Sequence, residues 1–318
     1  MLNAIPPTCN TRFVNLPLSR LNVLETGRGE PLIIVPATIS EVENWRTLAQ
    51  FMGQWFHVYF FELPGHGQST PFPGKFSSQR VAELVEQLAD SLGMKRFNLM
   101  GFSFGGILAM RAYQRLAHRI DRLILIAPCL GRPTLPFSDA RLFLLSSLNR
   151  IMGHPKIQAR FNQWIHDRRT VSIVVNVLRK VGQIEPTISL ENRLLHIPHT
   201  TISVLNAQLD EILNTRFETE IKKRQTPCYF AMSTLDPLLK FDVALETVQN
   251  HFENVKAVRL GYPYHQPPKP FTFEELNQDF YETVNEFMQV QPEKHTKNFP
   301  SRQNRNASME SLQLLQAI

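Results

Sequence analysis

The sequence predicts an α/β protein with a mostly parallel sheet, helices on both faces of the sheet, and an all-helical insertion. Short apolar runs such as Pro31–Val35 alternate with amphipathic stretches through residues 12–130, as expected for strands covered on both faces. The alternation stops at Pro128 and resumes at Thr226, and the residues between show helical spacing alone. We therefore divide the chain into a first core part (1–130), a helical insertion (131–225), a second core part (226–290) and a C-terminal tail (291–318) predicted to be disordered.

The elements of the first core part follow each other in a regular order. Residues 12–16 and 21–25 predict an antiparallel strand pair, and later apolar runs predict strands at 31–35, 56–61, 97–100 and 122–127. Helices are predicted between these strands, at 78–92, from 106 to about 116, and in the stretch that contains Trp45. Ser40 followed by Glu43 matches the capping-box pattern, so we expect the Ser40 side chain to cap this first helix.

The insertion predicts four helices, at 139–152, 156–167, 169–181 and 201–223. It contains 14 Lys and Arg against 8 Asp and Glu, and this excess of 6 equals the net charge of the whole chain. In the second core part, strands are predicted at 226–232 and 255–259, and helices at 241–252 and 272–290.

The composition limits the classes of partner. With 318 residues, 43% of them hydrophobic, the chain can bury a sizeable core. Its net charge of +6 comes without a block of basic residues, so we expect no nucleic-acid partner. No apolar run approaches the ~20 residues of a membrane-spanning helix. Cys9, Cys129 and Cys228 have no metal-ligand spacing and indicate reduced thiols, which favours a cytoplasmic location.

A Gly-x-Ser-x-Gly pentapeptide at 101–105 lies between a predicted strand and a predicted helix. A serine on such a sharp turn presents its Oγ at the edge of the sheet and at the positive end of a helix. Ser103 is therefore a candidate nucleophile, and the backbone N–H of Phe104 is a candidate donor to an oxyanion. The glycine-rich stretch 62–69 lacks the signature of a phosphate- or dinucleotide-binding loop, so we expect no cofactor and no metal.

A serine nucleophile needs a general base and an acid that orients the base. In a parallel sheet, the loops that carry functional residues gather at the carboxyl ends of the strands. His265 follows the strand predicted at 255–259, and Asp236 follows the strand predicted at 226–232. Ser103, Asp236 and His265 are therefore predicted to form a catalytic triad.

These motifs resemble those of the α/β-hydrolase fold superfamily, in particular its compact esterases, lipases and C–C hydrolases. The residues that carry the resemblance are 101–106, 62–69, Trp45, Asp236 and His265, within the stretches 12–130 and 226–290. The resemblance implies that the insertion, which follows the sixth strand, is a cap over the site.

The chain departs from the usual pattern of that family in three places. Pro36 and Ala37 stand where the family usually carries His-Gly after the third strand, Glu62 stands in place of Asp, and Tyr264 precedes the histidine in place of Gly. Aligned with the family, Thr38 supplies the second oxyanion N–H, from the loop after the third strand.

The triad and the resemblance together predict a serine hydrolase that acts on a small acyl substrate, with a fairly apolar carboxylic ester as the leading choice. Phe102, Phe143 and Trp164 are expected to line the substrate pocket. The same triad also permits acyl transfer, lactone opening and C–C cleavage, which the sequence does not separate. A different class, a hydrolase-fold protein that only binds a ligand or partner, is motivated by the altered Pro36–Ala37 loop and the basic insertion. The oligomeric state stays open.

Overall fold

The computed structural model describes residues 5–164, 167–182, 199–218, 222–267 and 269–290. Within these ranges, eight strands form one sheet. The strands are β1 (Cys9–Asn15), β2 (Arg20–Gly27), β3 (Glu30–Val35), β4 (Phe56–Phe61), β5 (Phe97–Phe102), β6 (Ile120–Ile126), β7 (Cys228–Ser233) and β8 (Val255–Leu260). Their order across the sheet is β1-β2-β4-β3-β5-β6-β7-β8.

The direction of β2 alone breaks the parallel arrangement of this sheet. Strand β2 is antiparallel to both β1 and β4, and the other neighbouring pairs are parallel. The chain places β4 on one side of β3 and then returns to add β5 on the other side. This reversal brings the loop after β3 beside the loop after β5, with Val35 paired to Gly101. The predicted mostly parallel sheet is confirmed.

Helices cover both faces of the sheet, as predicted. The described helices are α1 (Val42–Met52), α2 (Ser78–Ser91), α3 (Gly105–Leu116), α4 (Asp139–Met152), α5 (Pro155–Trp164), α6 (Arg168–Gly182), α7 (His199–Asn214), α8 (Phe241–His251) and α9 (Phe273–Met288). Apolar side chains of α2, α3 and α8 form one core with the sheet, and those of α1 and α9 form a second core on the other face. Burial from both sides explains why the inner strands are almost wholly apolar.

The helical insertion lies between β6 and β7 and contains α4 to α7, of which α4 packs against α7. The last of these helices ends at Asn214, so the helix predicted at 201–223 is too long. The carbonyl of Thr215 accepts a hydrogen bond from the N–H of Arg132 instead of serving a further helical turn. Residues 219–221 of that prediction, and the tail 291–318, lie outside the described residues.

The start of α1 also differs from the prediction. Glu41, the residue before the helix, makes no side-chain cap. The Oγ of Ser40 instead accepts a hydrogen bond from the N–H of Leu63, in the loop after β4. The capping box expected from Ser40 and Glu43 is therefore wrong, because a tertiary partner takes the serine hydroxyl that would otherwise cap the helix.

Two further observations concern membrane-spanning helices and the state of the cysteines. Among the described helices, none combines the length and the apolar character needed to cross a bilayer. Cys9, Cys129 and Cys228 are free thiols. The cytoplasmic location stays a prediction.

Candidate active site

Ser103 occupies a strained turn between β5 and α3. Its φ of 52° lies in the left-handed region, which a residue with a side chain seldom adopts. A methyl group on Gly101 would overlap the backbone of Gly105, and a methyl group on Gly105 would lie 2.5 Å from the carbonyl oxygen of Val35. The two glycines of the pentapeptide are therefore required by close backbone approaches on both sides of the serine.

The structure brings the three predicted triad residues together. Ser103 Oγ lies 2.7 Å from His265 Nε2, and His265 Nδ1 lies 2.6 Å from Asp236 Oδ2. The second carboxylate oxygen of Asp236 accepts hydrogen bonds from the N–H groups of Leu238 and Leu239, at 2.8 and 3.0 Å. The Asp236 side chain is almost fully buried and that of His265 is nearly so. The carboxylate is thus fixed on one side by the turn and faces the imidazole on the other.

The loop that carries His265 is held at several points. Ser233 Oγ donates a hydrogen bond to the carbonyl oxygen of Tyr262, and the Tyr262 hydroxyl donates one to Asp279, each at 2.5 Å. The ring of Tyr262 stacks on that of Tyr264, with centroids 5.3 Å apart. Burial and the nearby Asp279 carboxylate raise the pKa of Tyr262 well above its usual value, so this hydroxyl remains a donor. These contacts fix the direction from which the imidazole approaches Ser103.

The loop after β3 lies against the N-terminus of α3. The carbonyl oxygens of Val35 and Pro36 lie 2.5 and 2.8 Å from the position that a Cβ on Gly105 would occupy. Across the described part of the chain, the backbone N–H groups of Thr38 and Phe104 donate no hydrogen bond to another protein atom. The oxyanion role expected of these two N–H groups stays a prediction.

Glu62 supports this loop, a role that the sequence did not reveal. Its buried carboxylate accepts hydrogen bonds from the N–H of Val42 at 3.0 Å and from the N–H of Gln68 at 2.6 Å. It thereby joins the start of α1 to the glycine-rich loop after β4. The carboxylate also fills the space beside Gly67, whose φ is +48°. The feature of the sequence that could have indicated this role is the longer Glu62 in place of the family's usual Asp.

The predicted pocket residues have different surroundings. Phe102 is half-buried, makes an edge contact with Trp45 at 5.4 Å between ring centroids, and lies 6.1 Å from the His265 ring. Phe143 is 73% exposed and, among the described contacts, has none with the three triad residues. A role of Phe143 in lining the substrate pocket stays a prediction. The side chain of Trp164 lies outside the described residues.

A small cavity of about 60 Å³ lies beside the imidazole of His265. Its walls are mostly apolar and include Phe102, Asp236, Tyr262, His265 and Phe271. A cavity of this size is far below the ~300 Å³ of a typical ligand pocket. Apolar side chains therefore lie beside the His265 ring.

Helix α7 of the insertion rests on the glycine-rich loop after β4. Thr201 Oγ1 donates a hydrogen bond to the carbonyl of Gly65 at 2.7 Å, and Gln208 Nε2 lies 3.3 Å from His66 Nε2. Burial lowers the pKa of His66 to about 4, so its imidazole is neutral and accepts the amide proton. These buried polar contacts join the insertion to the loop after β4, and His66 is not part of the hydrogen-bonded triad.

The family comparison agrees with this architecture. Residues 30–163 match the model of the alpha/beta hydrolase fold family. Together with the strand order, this match identifies the class: the chain has the α/β-hydrolase fold. Within the described residues, no group of three or more His, Cys, Asp or Glu side chains could hold a metal ion.

Similar proteins include hydrolases and an acyltransferase. The chain is 31% identical over 108 residues to N-formylmaleamate deformylase of Pseudomonas putida, covering 34% of this chain and 40% of the relative. It is 21% identical to ethanol acetyltransferase 1 of Wickerhamomyces anomalus, covering 86% of this chain and 73% of the relative. The crystal structure of a membrane phospholipase A superposes with a TM-score of 0.64 at 20% identity, covering 89% of this chain and 87% of that one.

These similarities are limited in extent. The chain spans less than half the length of the first curated relatives, from 23% to 44%. The solved structures are too distant in sequence to indicate more than the fold. The relatives named here are hydrolases and an acyltransferase, and their names do not agree on one substrate.

Proposed function

We propose that this protein is a serine hydrolase that cleaves a carboxylic ester through an acyl-enzyme on Ser103. The observation that carries the proposal is the continuous hydrogen-bonded series from Ser103 Oγ through His265 to Asp236. Neutral serine is a weak nucleophile, and an imidazole at 2.7 Å can accept its proton as the oxygen attacks. Asp236, at Nδ1, holds the tautomer that leaves Nε2 free to act as a base.

The reaction then proceeds in two halves. Attack by Ser103 Oγ on the ester carbonyl gives a tetrahedral oxyanion, which the N–H groups of Thr38 and Phe104 stabilise. The intermediate collapses, and His265 transfers the proton to the departing alcohol oxygen. A water molecule, deprotonated by His265, attacks the acyl-enzyme, and the second collapse returns the proton to Ser103 and releases the acid.

We further propose that the insertion acts as a cap over this site. The contacts of α7 with the loop that carries Gly65 and His66 support this role, because they place the insertion against a loop held by Glu62. Phe102, which precedes the nucleophile and lies 6.1 Å from the His265 ring, is the side chain that we expect to contact the acyl group.

Labelling with a fluorophosphonate probe tests the nucleophile directly. We expect labelling of the wild-type protein, and none of Ser103→Ala, because the probe reacts with an activated serine. Hydrolysis of short p-nitrophenyl esters should fall by about 10⁴-fold or more in the same variant, with an unchanged melting temperature. Ser91→Ala, at the end of α2, is the matched control and should behave as wild type. Equal labelling or turnover in Ser103→Ala would refute the proposal.

Acyl transfer to an alcohol is the second candidate, favoured by the similarity to an acetyltransferase over 86% of this chain. It uses the same acyl-enzyme, and an alcohol takes the place of water in the second half. Analysis of products with a short alcohol present separates the two: a transferase forms the new ester at the expense of free acid, whereas a hydrolase releases the acid regardless.

A further inference from the structure

Helix α4 presents an apolar face to solvent. Phe143, Leu144, Leu148 and Ile151 are 73%, 56%, 49% and 52% exposed, and they constitute what we call the outer face of α4. The spacing of Leu144, Leu148 and Ile151, at i, i+4 and i+7, aligns them along one side of the helix. The two buried residues of α4, Leu142 and Asn149, lie on the opposite side. Packing within the described chain therefore does not explain these four side chains.

Basic residues border this face on both sides. Arg150 lies seven residues after Phe143, and Arg141 lies seven residues before Leu148, so each is nearly in line with one edge of the face. Both arginines are exposed, and Lys156, just after α4, is exposed as well. The acidic residue at the start of the helix, Asp139, is paired with Arg132. The outer face thus combines contiguous apolar side chains with a positive border.

We propose that the outer face of α4 docks on the surface of an anionic membrane. Phe, Leu and Ile side chains would enter the boundary between head groups and acyl chains, while the arginines contact lipid phosphates. The charge argues for this occupant over a second copy of the chain. In a two-fold dimer the same face meets itself, and the arginine borders of the two copies would repel.

The proposal fits the position of α4 in the fold. Helix α4 begins shortly after the end of β6, and it packs on α7, which in turn contacts the loop after β4. Docking through its outer face leaves the core of the sheet and the triad undisturbed. A single helical face gives weak, reversible and salt-sensitive binding. The inference does not depend on the hydrolase chemistry, since membrane binding is measured without turnover.

Cosedimentation of the 318-residue chain with vesicles tests the inference. Vesicles of phosphatidylcholine alone are compared with vesicles of equal parts phosphatidylcholine and phosphatidylglycerol, at low and high salt. We expect binding to the anionic vesicles that weakens with salt, and little binding to the neutral ones. Leu144→Ser/Ile151→Ser should lower the partition coefficient by about tenfold or more. Arg141→Gln/Arg150→Gln should remove most of the preference for anionic lipid.

The control replaces two exposed aliphatic side chains elsewhere, in Ile5→Ser/Val290→Ser, and should bind like wild type. Circular dichroism and melting temperatures establish that each variant is folded. Absence of binding to anionic vesicles at low salt overturns the inference. So does equal binding by Leu144→Ser/Ile151→Ser, which would assign the binding to another segment such as 291–318. A wild-type dimer that this variant converts to a monomer would instead assign the face to a second copy of the chain.

Discussion

Gly105→Ala provides a stringent test of how the nucleophile turn and the loop after β3 fit together. The added methyl group would lie 2.5 Å from the carbonyl oxygen of Val35 and 2.8 Å from that of Pro36. Ordinary van der Waals contact begins at 3.4 Å, so the start of α3 and the loop after β3 must move apart by 0.6 to 0.9 Å to accept the methyl group. Both neighbours are backbone atoms, and no flexible side chain can absorb the change.

The displacement should reduce catalysis more than stability. A misplacement of about 1 Å in a catalytic group can cost ~10²-fold in rate. Thr38 and Phe104 would move apart with their loops, and their N–H groups act on charge that develops in the transition state. We therefore expect kcat to fall about 10²-fold with little change in KM, and the free energy of unfolding to fall by roughly 1–3 kcal/mol.

Steady-state kinetics on a p-nitrophenyl ester and urea denaturation measure the two effects. Gly261→Ala is the matched control, since nothing lies within 4 Å of its added methyl group. We expect its kinetics and stability to stay near those of wild type. Wild-type kcat and stability in Gly105→Ala would refute the close approach of the two loops, and an equal loss in Gly261→Ala would show that any added methyl group has this effect.

Three further predictions concern polar side chains that join loops and helices. Glu62→Gln should lower the free energy of unfolding by about 2 kcal/mol and reduce kcat, because the NH₂ group of the new amide would face a backbone N–H that now donates to the carboxylate. Urea denaturation and steady-state kinetics measure the two effects, and Glu43→Gln, at an exposed carboxylate, should change neither. His66 has a pKa of about 4 in the folded protein and ~6.5 in the unfolded chain. The stability that its buried neutral ring provides is therefore fully present above about pH 6.5 and is lost as the pH falls to about 4. Urea denaturation should therefore show that the free energy of unfolding falls by roughly 3 kcal/mol less in His66→Gln than in wild type between about pH 6.5 and pH 4. An equal fall in the two proteins would contradict the burial of this imidazole. Glu211→Gln weakens the hydrogen bonds that Glu211 accepts from the N–H and the hydroxyl of Ser78. Amide hydrogen exchange in α7 should therefore become about tenfold faster, while amides of the sheet keep their protection. An equal increase in α7 and in the sheet would show that α7 does not open separately.

Most elements of the core could be predicted because their signals are local. The inner strands are buried on both faces, and such burial leaves an uninterrupted apolar run, as in Pro31–Val35. Helix ends were less predictable, because they depend on distant partners. Ser40 bonds to Leu63 instead of capping α1, and the carbonyl of Thr215 is taken by Arg132. Neither partner is visible in the local pattern.

The sequence by itself determined the order of the candidate site: Ser103, Asp236 and His265 each follow a strand, and parallel strands present such loops at one edge. Only the tertiary structure decided the distances between them, the bonds that Glu62 accepts, and the exposure of Phe143. The physical reason is that periodicity reports which side chains are apolar or polar, whereas packing decides which surface covers each one. A buried carboxylate or an exposed phenylalanine acquires its role from neighbours that are far away in the chain.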